Sequence, residues 1–244
     1  MRHAEPVSIS VSTVNDKMDS FSTQRDELSP VNWWIGKSRE WTESFLDQLD
    51  SMPVVKCVVL LGSTIRQRIH QRSDFDLLIV YEGDHRPRFN APIEVDVRRY
   101  SVRELDRKLK ERDEILCWAL KYGVVVFDPD GVWQRLAAKV GDNVPLPSLS
   151  DADSRGRRSL ERAVEMLKSR DEDAADDLVL AALTQIARRN LIAAGIFPAS
   201  RPELPAQLRK LMPNNPVADA LEKAMFGNAS PAELVANAKL LIES

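Results

Sequence analysis

Four short apolar runs divide the first half of the chain, at residues 54–61, 77–81, 93–97 and 124–127. Val, Ile and Leu dominate them, and Gly, Pro or Asp residues stand at or near their ends. Runs of this length and composition, bounded by turn residues, are typical of β-strands. The pattern therefore predicts a small sheet whose strands are joined by more polar segments.

Apolar residues at helical spacing lie on both sides of these runs. One stripe predicts a core-packing helix that opens at Ser29-Pro30 and ends before Pro53; its members are Trp34, Trp41, Phe45 and Leu49. A capping-box pattern, in which Ser101 caps and Glu104 reaches back, predicts a second helix that continues to about residue 121. The remaining predicted elements of this half are a turn at 128–131 and a helix at 132–140.

The second half of the chain carries no strand signal. Residues 141–154 contain Pro145 and Pro147 and lack helical periodicity, so we predict a linker there. About five helices are expected beyond it, as in a helical bundle. The helix that follows Ser200 is expected to be irregular because Pro205 interrupts it.

These elements together predict an α+β fold with two domains. A small mixed β-sheet with flanking helices is expected at residues 30–147, and an all-α helical bundle at 148–244. Residues 1–29 are polar and show no helical period, so we expect a flexible N-terminal tail.

Composition and charge narrow the classes of function. The 244 residues are 43% hydrophobic and 29% charged, with a net charge of −3. A negative net charge argues against broad DNA binding, which needs a basic face. Cys57 and Cys117 lie in apolar segments and are interpreted as buried thiols in a reducing compartment. No apolar run approaches the ~20 residues that span a bilayer, so we expect a cytoplasmic protein without membrane partners.

Three aspartates stand at positions where strands begin or continue. Asp74 and Asp76 flank Phe75 at the start of the second run, and Asp96 lies between valines in the third. Strand interiors disfavour Asp, and a buried carboxylate needs a partner or a cation. Asp74 and Asp76 share one face of their strand because side chains alternate. If the third strand pairs beside the second, Asp96 joins them, and three carboxylates can bind two Mg²⁺ ions.

A phosphate site is predicted beside these carboxylates. Gly62-Ser63 ends the first strand at an expected strand-to-helix turn, where bare backbone N–H groups favour phosphate. Arg66 and Arg72 lie in the basic segment that follows, and their guanidinium groups can neutralise a triphosphate. A plainer interpretation makes Gly62-Ser63 an ordinary turn and leaves the arginines in solvent.

The order Gly62-Ser63, Asp74-Phe75-Asp76 and Val95-Asp96-Val97 resembles the polymerase-β-type nucleotidyltransferases. It is most similar to their minimal and antibiotic-modifying branches (kanamycin and streptomycin type), in which a helical substrate-binding domain follows the catalytic domain. The resemblance implies that the Gly-Ser turn binds phosphate, that the first two aspartates bind metal, and that the third binds metal and acts as base.

Two further positions bear on this resemblance. Arg66 matches an arginine that is common after the turn, whereas Gln67 stands where many members have glycine. The implied activity is transfer of a nucleotide monophosphate onto an acceptor hydroxyl with release of pyrophosphate. ATP is the expected donor, with other nucleoside triphosphates as alternatives, and two Mg²⁺ ions are the expected cofactors.

Several alternatives stay open at this stage. Glu161 or Glu165 could replace Asp96 as the base, and Asp96 could instead be an edge-strand carboxylate paired with Arg98 or Arg99. The acceptor could be a small molecule, a protein or a tRNA, the last two as in toxin–antitoxin systems. A catalytically silent nucleotide-binding or partner-binding module is the non-enzyme alternative, and a homodimer is left open.

Overall fold

The structure, a computed structural model, describes residues 36–65 and 75–243. The first half contains α1 (Gly36–Asp47), β1 (Val55–Leu61), α2 (Gly62–Ile65), β2 (Phe75–Tyr81), β3 (Val95–Ser101), α3 (Leu105–Lys110), α4 (Glu114–Tyr122), β4 (Val124–Phe127) and α5 (Val132–Val140). The second half contains α6 (Leu149–Lys168), α7 (Glu172–Ala193), α8 (Leu204–Leu211), α9 (Pro216–Phe226) and α10 (Pro231–Glu243). Short 3₁₀ turns lie at Leu49–Ser51, Val102–Glu104 and Arg201–Glu203.

The four strands form one mixed sheet in the order β3-β2-β1-β4. Strand β1 is antiparallel to both β2 and β4, whereas β2 and β3 are parallel. The predicted mixed sheet with flanking helices, followed by helices alone, is therefore confirmed. Strand β3 lies at one edge of this sheet.

The sheet is covered on both faces. Phe45, Leu46 and Leu49 pack on one face, against alternate residues of β1 and β2 such as Leu60 and Leu77. This confirms the predicted core stripe for Trp41, Phe45 and Leu49, while Trp34 lies outside the described residues. The other face packs against α3, α4 and α5 through buried residues that include Leu105, Leu116, Trp118, Trp133 and Leu136.

Helices α6 to α10 surround an apolar core of their own, drawn from residues between Leu160 and Ile242. The two long helices α6 and α7 pack against each other, and the buried Gly156 of α6 faces α7. A Cβ added to Gly156 would lie 3.5 Å from Gln185 Cβ, an ordinary van der Waals contact. Within the residues that the structure describes, no helix combines the length and the apolar character needed to cross a bilayer.

The predicted helix at 101–121 is wrong as one continuous element. The capping box of Ser101 and Glu104 forms as expected, but the helix is interrupted at Arg112, whose φ is +55°. Left-handed φ ends a helix for most residues. Asp113 then begins a new helix, α4, by accepting a hydrogen bond from Leu116 N at 3.1 Å.

Two other boundaries and the regularity of one helix differ from the predictions. Residue Ile93 lies in a turn and is 95% exposed, because β3 begins only at Val95 and continues to Ser101. Helix α6 starts inside the predicted linker, where the Ser148 hydroxyl accepts from Asp151 N at 3.2 Å. Pro205 does not disturb α8, because it occupies the first turn, where a missing N–H breaks no helical hydrogen bond.

Candidate functional site

Two of the three predicted aspartates are direct neighbours in the sheet. The parallel register pairs Asp76 of β2 with Asp96 of β3. Adjacent strands lie about 4.8 Å apart and paired residues project to the same face, so the two carboxylates lie side by side. The Asp96 side chain is 37% exposed on its edge strand. The predicted pairing of the third strand beside the second is confirmed.

Gly62 brings the end of β1 against this pair. Leu61 is opposite Asp76 in the antiparallel register, so the turn after β1 begins beside that carboxylate. The φ of Gly62 is +84°, and a Cβ there would overlap Asp76 Oδ2. Only glycine fits both conditions without displacing the carboxylate. The structure thus brings Gly62, Asp76 and Asp96 together at one end of strands β1, β2 and β3.

Arg98 forms an ion pair with Asp96 through Nη2 and Oδ2. It lies two residues further along β3, on the same face, and its side chain is 50% exposed. The sequence suggested Arg98 or Arg99 as a partner of Asp96, and the structure shows that the partner is Arg98. An ion pair as exposed as this contributes at most about 1 kcal/mol, so it leaves Asp96 able to bind another cation.

Other predicted site residues cannot be placed in this way. Ser63 belongs to α2, but the structure does not describe its side chain. The other predicted site residues that lie outside the described residues are Arg66, Arg72 and Asp74. Among the residues that are described, no three His, Cys, Asp or Glu side chains group as a metal site. Asp76 and Asp96 supply the oxygen ligands that Mg²⁺ prefers, and the third predicted ligand is Asp74.

The sheet face beyond the aspartates carries a buried hydrogen-bond network. Tyr100 donates to Asp113 Oδ1 at 2.7 Å, and Lys108 Nζ donates to Asp113 Oδ2 at 2.9 Å. Burial and the bond to Asp113 raise the pKa of Tyr100. Burial acts to raise the pKa of Asp113, but its bonds from Tyr100, Lys108 and Leu116 N prevail and lower it.

The alternative bases occupy a different element. Glu161 and Glu165 lie on α6 with exposed side chains. Their side chains make no hydrogen bond or ion pair within the part of the chain that the structure describes. Solvated positions of this kind are ordinary for helix glutamates, and neither residue lies in the sheet that carries Asp76 and Asp96.

Sequence reasoning missed a second polar feature, a cavity of about 260 Å³ between α6 and α7. Five arginines line it: Arg155, Arg158, Arg162, Arg188 and Arg201. We call it the arginine pocket. The signal available in the sequence was the spacing of Arg155, Arg158 and Arg162, which places them on one helix face.

Comparisons with known proteins add little to this geometry. No protein-family model matches the chain, and no curated protein matches it in sequence. Among solved structures, it is similar to the crystal structure of a nucleotidyltransferase-like protein from Exiguobacterium sibiricum 255-15. The TM-score is 0.40 and the identity 16%, over 84% of this chain and 72% of that one. Values this low do not carry an assignment of function.

Proposed function

We propose that this protein is a Mg²⁺-dependent nucleotidyltransferase that moves a nucleotide monophosphate, with ATP as the expected donor, onto an acceptor hydroxyl. Pyrophosphate is the second product. The observation that supports the proposal is the register of the sheet, which pairs Asp76 with Asp96 and brings Gly62 against Asp76. The motif requires these three residues together, and although they are separated in the sequence they lie at the same end of three adjacent strands.

Each residue has a role in this proposal. Asp76 and Asp96, with Asp74, would hold the magnesium ions, which supply charge neutralisation and a lowered hydroxyl pKa when bound. Gly62 lets the turn approach closely, so that backbone N–H groups and the Ser63 hydroxyl can bind phosphate oxygens. Arg66 and Arg72 would neutralise the triphosphate, and Asp96 would accept the proton of the attacking hydroxyl.

The test uses substitutions that keep shape and remove charge. Asp76→Asn and Asp96→Asn should each weaken ATP binding in the presence of Mg²⁺ at least about tenfold, or 1.4 kcal/mol. The loss is expected because each substitution removes a charged ligand. Asp106→Asn is the matched control, since Asp106 is a 63% exposed aspartate of the same half that pairs with Lys139. Its binding should equal that of the wild type.

Calorimetry measures binding, and pyrophosphate release with a panel of hydroxyl acceptors measures turnover. Wild-type affinity in both active-site variants would refute the metal assignment. Tight ATP binding by the wild type, lost in the variants but without pyrophosphate release on any acceptor, would instead favour the silent nucleotide-binding module.

A further inference from the structure

The arginine pocket is built from three separate segments. Arg155, Arg158 and Arg162 recur at helical spacing along α6, Arg188 faces them from α7, and Arg201 comes from the 3₁₀ turn before α8. Gly156 of α6 faces Gln185 of α7, which also lines the pocket. Four of the five guanidinium groups thus come from two packed helices, and the fifth comes from a turn.

Among the described residues, Glu114 is the one carboxylate that pairs with Arg155, Arg158, Arg162 or Arg188 of this pocket. Arg155 and Arg188 share one carboxylate, that of Glu114. The hydrogen bond of Arg158 goes to the backbone oxygen of Ser154 at 3.3 Å. Arg162 makes neither a hydrogen bond nor an ion pair to any described residue. Like charges that line one pocket repel one another, so a bound anion would reduce that repulsion.

A neutral polar group points to further ligand chemistry. Gln185 also lines the pocket, and its Oε1 atom is buried without a hydrogen-bond partner among the described residues. Buried polar atoms are nearly always paired in folded proteins. A hydroxyl or amino group of a ligand could donate to this oxygen while the arginines bind an anion.

Size and net charge distinguish between classes of anion. About 260 Å³ is slightly below the usual range for small-molecule pockets. It suits one or two phosphate groups with a small hydroxyl-bearing part. A nucleic-acid polymer would instead use an extended basic surface, and the chain has a net charge of −3. The planar, bidentate donors of arginine match phosphate oxygens.

We propose that the arginine pocket, whose lining residues all belong to the helical half, is a binding site for a small phosphate-bearing molecule. Arg158 and Arg162 contact its phosphate oxygens, with Arg155, Arg188 and Arg201 contributing charge around them. Gln185 accepts a hydrogen bond from its hydroxyl or amino group. This binding requires neither a divalent cation nor nucleotidyl transfer.

Inorganic pyrophosphate, titrated by calorimetry into the full-length protein in EDTA, is the probe. EDTA removes the Mg²⁺ through which pyrophosphate would bind the sheet aspartates. Arg158→Gln and Arg162→Gln should each weaken binding about tenfold, and the double variant about a hundredfold, because each removes a charge-assisted hydrogen bond. Arg162→Lys should lose less, since it retains the charge.

Arg135→Gln is the matched control. Like Arg158, Arg135 is an exposed helix arginine that donates to a backbone oxygen, here that of Asp130 at 2.6 Å, and it should bind pyrophosphate like the wild type. Circular dichroism checks that each variant is folded. The Asp76→Asn/Asp96→Asn double variant should also retain pyrophosphate binding in EDTA, which separates this proposal from the proposed enzymatic function.

Three results would overturn the proposal. The first is a wild type that does not bind pyrophosphate, and the second is equal affinity in the wild type and the Arg158/Arg162 double variant. The third is a short single-stranded RNA that binds the wild type far more tightly than pyrophosphate does and that loses affinity in the double variant. That outcome would make the pocket part of a nucleic-acid surface.

Discussion

At the scale of single residues, Gly62 determines how closely the turn after β1 approaches Asp76. Its positive φ and the absence of a Cβ act together, because an alanine would be strained and would also overlap the carboxylate. Gly195 separates the two effects. Its φ is +74°, but a Cβ added there would meet no other group of the described residues within 4 Å.

We therefore expect Gly62→Ala to affect both stability and ATP binding, and Gly195→Ala to affect stability alone. Gly195→Ala should cost about 1–2 kcal/mol of unfolding free energy, the strain of left-handed φ alone. Gly62→Ala should cost at least as much and should also weaken ATP binding with Mg²⁺, because the new methyl group displaces the Asp76 carboxylate from Asp96. Urea unfolding and calorimetry measure the two effects.

A double substitution isolates the overlap. In an Asp76→Ala background, Gly62→Ala should cost no more stability than Gly195→Ala does, because the group it overlaps is gone. Two results together would contradict this prediction: an equal loss of unfolding free energy from Gly62→Ala in both backgrounds, and wild-type ATP affinity in the Gly62→Ala variant. The close approach of the turn to the Asp76 carboxylate would then not affect ATP binding.

At the scale of secondary-structure elements, Asp113 explains why one predicted helix is two. It caps α4 through Leu116 N and also accepts from Tyr100 and Lys108, and its side chain is only 13% exposed. One carboxylate thus fixes the start of α4 relative to both β3 and α3. The left-handed Arg112 just before it redirects the chain between the two helices.

The lowered pKa of Asp113 predicts a pH dependence of stability. A carboxylate with a folded pKa below its unfolded value contributes stability above the unfolded pKa, near 3.9, and loses it as pH falls through the folded value. Asp113→Asn should lower the unfolding free energy by about 1–3 kcal/mol at pH 7. The difference from wild type should shrink as the pH falls below about 4.

Urea unfolding at pH 7 and pH 3 measures this difference. Asp106→Asn, which removes a carboxylate paired with Lys139 at the protein surface, serves as control and should change little at either pH. A deficit for Asp113→Asn that stayed constant from pH 7 to pH 3 would show that the charge of this carboxylate does not contribute.

At the scale of the whole molecule, Glu114 joins the sheet-bearing half to the helical half. It lies on α4, and its carboxylate, 12% exposed, pairs with Arg155 of α6 and Arg188 of α7. Tyr122 and Phe197 make a second contact across the same boundary, with ring centroids 5.5 Å apart. The two halves are therefore connected by both polar and apolar side chains.

Removing the charge of Glu114 should weaken this connection. We expect Glu114→Gln to reduce the unfolding free energy by about 2 kcal/mol, because two partly buried guanidinium groups lose their common partner. Glu111→Gln is the matched control: Glu111 is 52% exposed and pairs with the exposed Arg107, so a change within about 0.5 kcal/mol is expected. Equal effects of the two substitutions, measured by urea unfolding, would rule out a stabilising role for the shared carboxylate.

Local patterns in the sequence predicted most of the strands and helices. They also predicted Gly62, Asp76 and Asp96 as members of the candidate site. Strand β4 coincides with the apolar run at 124–127 and helix α5 with the helix expected at 132–140, because a buried element needs apolar residues within its own sequence. The pairing of Asp76 with Asp96 was foreseen as one condition of the motif. The predictions for Asp74, Arg66 and Arg72, and the domain boundary at 147/148, stay predictions.

Tertiary structure alone decided the features that depend on distant residues. The break at Arg112 follows from the hydrogen bonds that Asp113 accepts from β3 and α3, because a hydrophobic pattern does not show which polar side chains will meet. The arginine pocket combines residues of α6, α7 and a later turn, and only packing brings these residues together. Periodicity reports which side of an element is buried. It does not report which other element covers that side, because that choice depends on the packing of the whole chain.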